Sequence, residues 1–172
     1  LEKYPHVPVS LETDLRGIDV KNLHSVSPEA VKEILMKQAY NLSKLGKNVI
    51  VKVPVCAGGL LAAEELAKNG IKTNITACMT PYQALAAANV GNGYVSLFAN
   101  RLLDSHLIEL SGHSLEEILT DGGWKDILKK AKGDFFEEAW KRTLSQIAYV
   151  AEKLESSPNV GLIVGSIRTP ED

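Results

Sequence analysis

The stretch Val49-Ile50-Val51-Lys52-Val53-Pro54-Val55 constrains this chain more than any other. It is apolar and β-branched almost throughout, without the strict alternation of a strand that wets one face. Such a run is a strand buried on both sides, as strands of a parallel sheet are. Gly161-Leu162-Ile163-Val164-Gly165 has the same character. Further strand-like runs lie at 6–11, 74–79 and 94–99, beside those at 48–55 and 160–165. Helical spacing occupies 28–45, 58–69, 81–90 and 115–154. Ser27-Pro28 and Thr80-Pro81 each put a capping hydroxyl before a proline at the first helical position. Lys68-Asn69-Gly70 supplies residues that tolerate a left-handed turn at a helix end.

Strands alternating with helices define the α/β class, with helices packed outside a parallel sheet. An open doubly wound sheet and a closed barrel both fit. The first of these marks its ligand site with a glycine-rich turn. Ala57-Gly58-Gly59 lacks the GxGxxG spacing and reads as a tight strand-to-helix turn. Residues two apart share a strand face. On that rule Ser10, Glu12 and Asp14 align, as do Ile50, Lys52 and Pro54, and Asn74, Thr76 and Cys78. Tyr94, Ser96 and Phe98 form a fourth set, and Val164, Ser166 and Arg168 a fifth. Their polar members gather toward the C-terminal strand ends, where a (β/α) barrel carries its catalytic groups.

Lys52 is the sharpest of these residues. A lysine buried in a central strand loses solvation of its charged form, which leaves more neutral amine to attack a carbonyl. The alternative is a lysine at a strand end, paired with a carboxylate such as Glu12. Glu12 itself reads as a general acid/base or as that ion-pair partner. Thr76 reads as a group that positions a water or as a β-branched strand filler. Arg101 and Arg168 lie just past strand ends, where two guanidiniums suit a phosphate clamp; singly, each reads as a surface ion-pair residue. His106 and His113 make no metal-ligand spacing, so no metal site is expected.

Composition removes several classes. A net charge of -2 gives no electrostatic footprint for nucleic acid. The two cysteines, Cys56 and Cys78, make no disulfide framework, which points to a reducing, cytoplasmic setting. The longest apolar runs are far short of a membrane span, and no signal-peptide pattern opens the chain.

The motifs Val9-Ser10-Leu11-Glu12-Thr13-Asp14-Leu15-Arg16, Val49-Ile50-Val51-Lys52-Val53-Pro54 and Gly70-Ile71-Lys72-Thr73-Asn74-Ile75-Thr76 occur in that order. Tyr94-Val95-Ser96-Leu97-Phe98-Ala99-Asn100-Arg101 and Gly165-Ser166-Ile167-Arg168-Thr169-Pro170 follow them. Together they resemble the transaldolase family, which includes the fructose-6-phosphate aldolases. The resemblance covers nearly the whole chain except about 104–158. It implies a TIM-type (β/α)8 barrel and a class I, metal-free and cofactor-free mechanism on sugar-phosphate substrates in the pentose phosphate pathway. By that resemblance Lys52 forms the Schiff base. Glu12, through a water held with Thr76, moves protons. Asn74 and Ser96 contact or support the dihydroxyacetone unit, and Arg101, Ser166 and Arg168 hold the phosphate. Glu12 stands where fructose-6-phosphate aldolases carry glutamine. Phe98 stands where they carry a tyrosine that helps release free dihydroxyacetone, and phenylalanine has no proton to give. Both positions favour transaldolase, with the aldolase and a catalytically silent barrel fragment as the alternatives.

The five strands correspond to the third through seventh of the family barrel. Residues 1–172 therefore read as a single barrel domain without counterparts of the first two strands and the last. Two family residues of those first strands, an aspartate and an asparagine, have no counterpart either. The chain opens on Leu1 rather than methionine, so a fragment, or completion by another polypeptide segment, is expected. Residues 104–158 read as an enlarged helical crossover with an apolar stripe through Phe135, Ala139, Leu144, Ile147, Ala151 and Leu154. A homo-oligomer contact near Trp124 and Trp140 is the other reading of that segment.

Overall fold

Ser27 and Thr80 start two helices as their spacing predicts: the Ser27 hydroxyl accepts from the Ala30 N–H, and the Thr80 hydroxyl from the Gln83 N–H. The computed structural model of the chain describes residues 5–16, 18, 26–119 and 123–168. Thr169 and Pro170, the end of the last motif, lie outside them. In chain order the elements are β1 (Val9–Glu12), α1 (Pro28–Ser43), β2 (Val49–Pro54), α2 (Ala57–Lys68), β3 (Thr73–Cys78) and α3 (Pro81–Val90). They continue with β4 (Gly93–Phe98), α4 (Ala99–Ser111), α5 (Leu115–Leu119), α6 (Gly123–Leu154) and β5 (Val160–Gly165).

The five strands are parallel and pair in chain order, β1-β2-β3-β4-β5. A doubly wound sheet reverses its order at a switch point and covers both faces with helices. Here Val51, Val53, Ile75, Val95 and Leu97 pack in one core with residues of α1, α2, α3 and α6. The opposite face carries Glu12, Lys52, Asn74, Thr76 and Ser96. Sequential parallel pairing with helices on one face is the (β/α)-barrel arrangement, of which these residues form five strands. Leu35, Leu66 and Leu97 are wholly buried in the core, each worth about 1.5–3 kcal/mol relative to exposure.

Two residues break the pleat. Ala77 has φ 62° and Ser166 φ 61°, the two non-glycine residues with positive φ among those described. At Ala77 the β3–β4 register shifts, so that Cys78 pairs with Leu97 and is buried in the helix-side core. Cys78 therefore does not share a face with Asn74 and Thr76, contrary to simple alternation. In β5 the residue opposite Ser96 is Ile163, and Val164 lies opposite the core residue Leu97. The site face of β5 is thus Gly161, Ile163 and Gly165. Ser166 and Arg168 follow the strand rather than continuing its alternation.

Among the described residues, the crossover between β4 and β5 holds three helices. Helix α4 starts at Ala99, the end of the strand-like run at 94–99, and runs into the crossover read from 104; its cap position, Phe98, makes no side-chain cap bond. Leu103 and Leu107 of α4 pack with Ala131, Phe135, Phe136, Ala139 and Trp140 of α6, in a second core. The C-terminal half of α6 turns Ile147, Val150 and Leu154 to the main core. Leu144 and Ala151 of the expected stripe are exposed; Thr143 and Val150 are buried in their stead. Thr143 enters an apolar stripe because its hydroxyl donates to the Ala139 carbonyl at 2.9 Å. Trp140 stacks on Phe136 at 6.3 Å between centroids, within the chain.

Candidate active site

Lys52 and Glu12 are register partners in β2 and β1, so both side chains leave the helix-free face at the same level. The Lys52 Nζ donates to Glu12 Oε2 at 3.0 Å. The lysine side chain is 25% exposed, so the ammonium is ion-paired and reachable rather than buried. Of the two readings open for it in the sequence, the geometry is that of the pair at a strand end. The backbone beneath is tied as tightly. Thr13 gives its N–H and its hydroxyl to the Lys52 carbonyl. The Gln38 side chain, from α1, accepts from the Asp14 N–H at 2.6 Å and donates to the Asp14 carbonyl at 2.8 Å. These four bonds fix the end of β1 on both sides.

Asp14 lies past the strand and does not join the face of Ser10 and Glu12. Its carboxyl accepts from the Arg16 N–H at 2.8 Å and the Arg16 Nε at 2.7 Å. The backbone bond first, then the guanidinium, hold it below the usual carboxylate range.

Asn74, opposite Lys52 on the next strand, sits in a polar chain. The Ser96 hydroxyl donates to Asn74 Oδ1 at 2.7 Å, and Asn74 Nδ2 donates to the Ser10 hydroxyl at 3.1 Å. Asn74 and Ser96 are buried, so these bonds satisfy groups that would otherwise be costly to desolvate. Thr76, opposite Pro54, is buried with its hydroxyl making no hydrogen bond among the described residues. Such a group is rare in a protein interior, and a polar site facing a ligand is one of its ordinary explanations.

Phe98 ends β4 half-buried, opposite Gly165. Arg101 and Arg168 meet on Asp104. Arg168 Nη1 donates to Asp104 Oδ1 at 2.9 Å and Nη2 to Oδ2 at 2.6 Å, while Arg101 Nη1 reaches Oδ2 at 3.2 Å. Asn100 donates to the Ser166 carbonyl at 2.7 Å, joining α4 to the segment after β5. The site thus has an amine part on β1–β3 and a cationic part on α4 and the segment after β5.

Ser10, Gln38, Asn100 and Asp104 escaped any role in the sequence reading. Ser10 was signalled by its spacing of two from Glu12, and Asp104 by its i+3 position from Arg101 once α4 is known to be helical. Among the described residues no group of three or more His, Cys, Asp and Glu side chains could hold a metal ion. No described helix is long and apolar enough to cross a membrane.

A parallel sheet covered on one face, with amine, carboxylate, amide and guanidinium groups at its C-terminal ends, defines a (β/α)-barrel protein. The family model described as Transaldolase/Fructose-6-phosphate aldolase matches residues 23–147, and the chain belongs to that family. The match contains Lys52, Asn74, Thr76, Ser96, Phe98 and Arg101; Glu12, Ser166 and Arg168 flank it. A probable transaldolase of Bdellovibrio bacteriovorus is 38% identical over 99 residues, 49% of this chain and 46% of that protein. One of Dictyoglomus turgidum is 46% identical over 82 residues, covering 46% and 38% of the two chains. One of Clostridium botulinum is 47% identical over 72 residues, covering 42% and 33%. The chain spans less than half the length of the curated relatives it matches.

Proposed function

We propose that this chain carries the Schiff-base site of a transaldolase, with Lys52 as the nucleophile. The observation that carries the reading is the Lys52–Glu12 pair at 3.0 Å on the helix-free face of the sheet. An ammonium must lose a proton before it can attack, and a carboxylate in hydrogen-bond contact can take it. The freed amine adds to the ketose carbonyl carbon. Water then leaves the carbinolamine, and an iminium forms on Lys52.

Glu12 serves through a water that the Thr76 hydroxyl holds. It returns a proton to the departing hydroxyl and then takes one from the substrate hydroxyl beyond the bond to be cleaved. Breaking that carbon–carbon bond releases an aldose phosphate and leaves its electron pair in the enamine. Asn74, set by Ser96 and Ser10, orients the three-carbon unit. The enamine adds to an aldose phosphate acceptor, and hydrolysis returns Lys52. Arg101, Arg168 and Ser166 hold the phosphate. Phe98 has no hydroxyl with which to protonate the three-carbon unit, which supports transfer over release as free dihydroxyacetone.

Borohydride reduction in the presence of fructose 6-phosphate, followed by peptide mapping, tests this. The expected adduct is on Lys52 alone. An adduct on another lysine sinks the mechanism, and a folded chain that forms none is catalytically silent. Three-carbon units appearing as free dihydroxyacetone, despite an aldose phosphate acceptor, would make the chain a fructose-6-phosphate aldolase.

A further inference from the structure

We infer that Asp104 is the positioning residue of the phosphate clamp, orienting Arg101 and Arg168 together before substrate arrives. This rests on the reading of those arginines as the phosphate holders. The Asp104 side chain is 12% exposed, whereas those of Arg101 and Arg168 are 47% and 42% exposed. The carboxylate therefore lies behind the guanidiniums, and they reach solvent beyond it. A carboxylate that competed for the phosphate position would stand on the exposed side.

Both oxygens are used, in a fork on Arg168, and Oδ2 is shared with Arg101. A fork fixes the plane of the Arg168 guanidinium as well as its place. The shared oxygen sets the distance between two like charges that would otherwise repel. Arg101 lies three residues before Asp104 on α4, but Arg168 is 64 residues away. The carboxylate is thus what couples an arginine of the crossover to one that follows β5. Asn100 braces the same junction: it accepts from Arg168 Nη2 through its carbonyl at 3.5 Å and donates to the Ser166 carbonyl.

Removing Asp104 has two opposed effects on an anion. Loss of a negative charge strengthens attraction, while release of two long side chains adds rotamer entropy that binding must remove. Positioning predicts that the second dominates. In the full chain, Asp104→Asn should raise the half-saturating fructose 6-phosphate for Lys52 trapping by about tenfold or more. Trapping by unphosphorylated dihydroxyacetone should change less than twofold, and Asp104→Glu should recover part of the loss. Arg168→Met should matter far less in the Asp104→Asn background than alone.

Equal losses with both ketoses mean a merely structural ion pair and overturn the inference. Tighter fructose 6-phosphate binding by Asp104→Asn means simple charge repulsion, and also overturns it. If Arg101→Met and Arg168→Met leave fructose 6-phosphate unaffected, the phosphate-clamp reading itself fails. If they act and Asp104→Asn does not, only the present inference falls. A measurement on the unaltered chain needs neither folding of a variant nor turnover. Nitrogen NMR of Arg168 should show separate, slowly rotating Nη groups before inorganic phosphate is added, and averaged Nη signals would overturn the inference.

Discussion

Thr13 donates twice to one atom, the carbonyl oxygen of Lys52: its backbone N–H lies at 2.9 Å and its hydroxyl at 3.1 Å. The residue after the candidate base is thereby tied to the backbone of the candidate nucleophile. Thr13→Val keeps the N–H and the shape but loses the hydroxyl bond. Stability should fall by about 0.5–1.5 kcal/mol, read from urea midpoints. Because Glu12 is then held by one bond fewer, trapping on Lys52 should slow as well. Gln38→Ala should act in the same direction and expose the Asp14 amide, which hydrogen exchange reads directly.

Thr76 should separate function from stability. Its hydroxyl is buried and makes no hydrogen bond among the described residues, so Thr76→Val removes a group the fold does not use. The variant should be as stable as the parent, or more so. If the hydroxyl holds the proton-carrying water, trapping should slow by about tenfold to a hundredfold, below the ~10²–10⁴ of a full acid–base partner. Unchanged trapping in a folded variant would make Thr76 a strand filler.

Two glycines in helices should respond oppositely to alanine. A Cβ on Gly59, in the first turn of α2, would lie 1.9 Å from the Pro54 carbonyl oxygen, which only backbone movement can relieve. Gly59→Ala should therefore disturb the end of β2, two residues past Lys52, and lower both stability and trapping. Gly133 sits inside α6 with nothing within 4 Å of its added Cβ. There Gly133→Ala should stabilise the chain by about 0.5–1 kcal/mol through helix propensity. Thermal melts of the two variants test the contrast.

Burial pushes the Cys78 thiol up to about 12. An unfolded thiol ionises near pH 8.5. The folded state therefore keeps a proton that the unfolded state gives up over the window between. Stability from this group is whole below about pH 8.5 and falls as pH climbs toward 12, on the order of a few kcal/mol across the window. The stability difference between the parent chain and Cys78→Ala, followed by urea melts, should shrink as pH rises. In the folded chain, a thiol reagent should modify the half-exposed Cys56 and spare Cys78.

The strands were legible because buried parallel strands announce themselves as apolar runs, and Lys52 stood out by interrupting one. Caps at Ser27 and Thr80 were legible because hydroxyl and proline act locally. Cys78 and Val164 were assigned to the wrong face because alternation assumes an unbroken pleat, and nothing in Ala77 or Ser166 as residue types signals a positive φ. The start of α4, ahead of the crossover read from 104, was not legible because it begins at a strand end with neither cap nor proline. With it went Asp104, whose partner Arg168 no local pattern could supply. Leu144 and Thr143 exchanged roles because a hydroxyl bonded to its own helix can pass for apolar.

Pairing in strict chain order also has a temporal consequence. The residues around the amine all belong to β1 through β4, whereas the second arginine follows β5, after three intervening helices. A ribosome adding ~5–20 residues per second delivers Arg168 several seconds after Lys52, Asn74 and Ser96. During that interval the nascent chain holds both members of the Lys52–Glu12 pair but only one of the two arginines that meet on Asp104. On the proposed reading, a preference for phosphorylated ketoses therefore waits until α6 has docked and β5 pairs with β4.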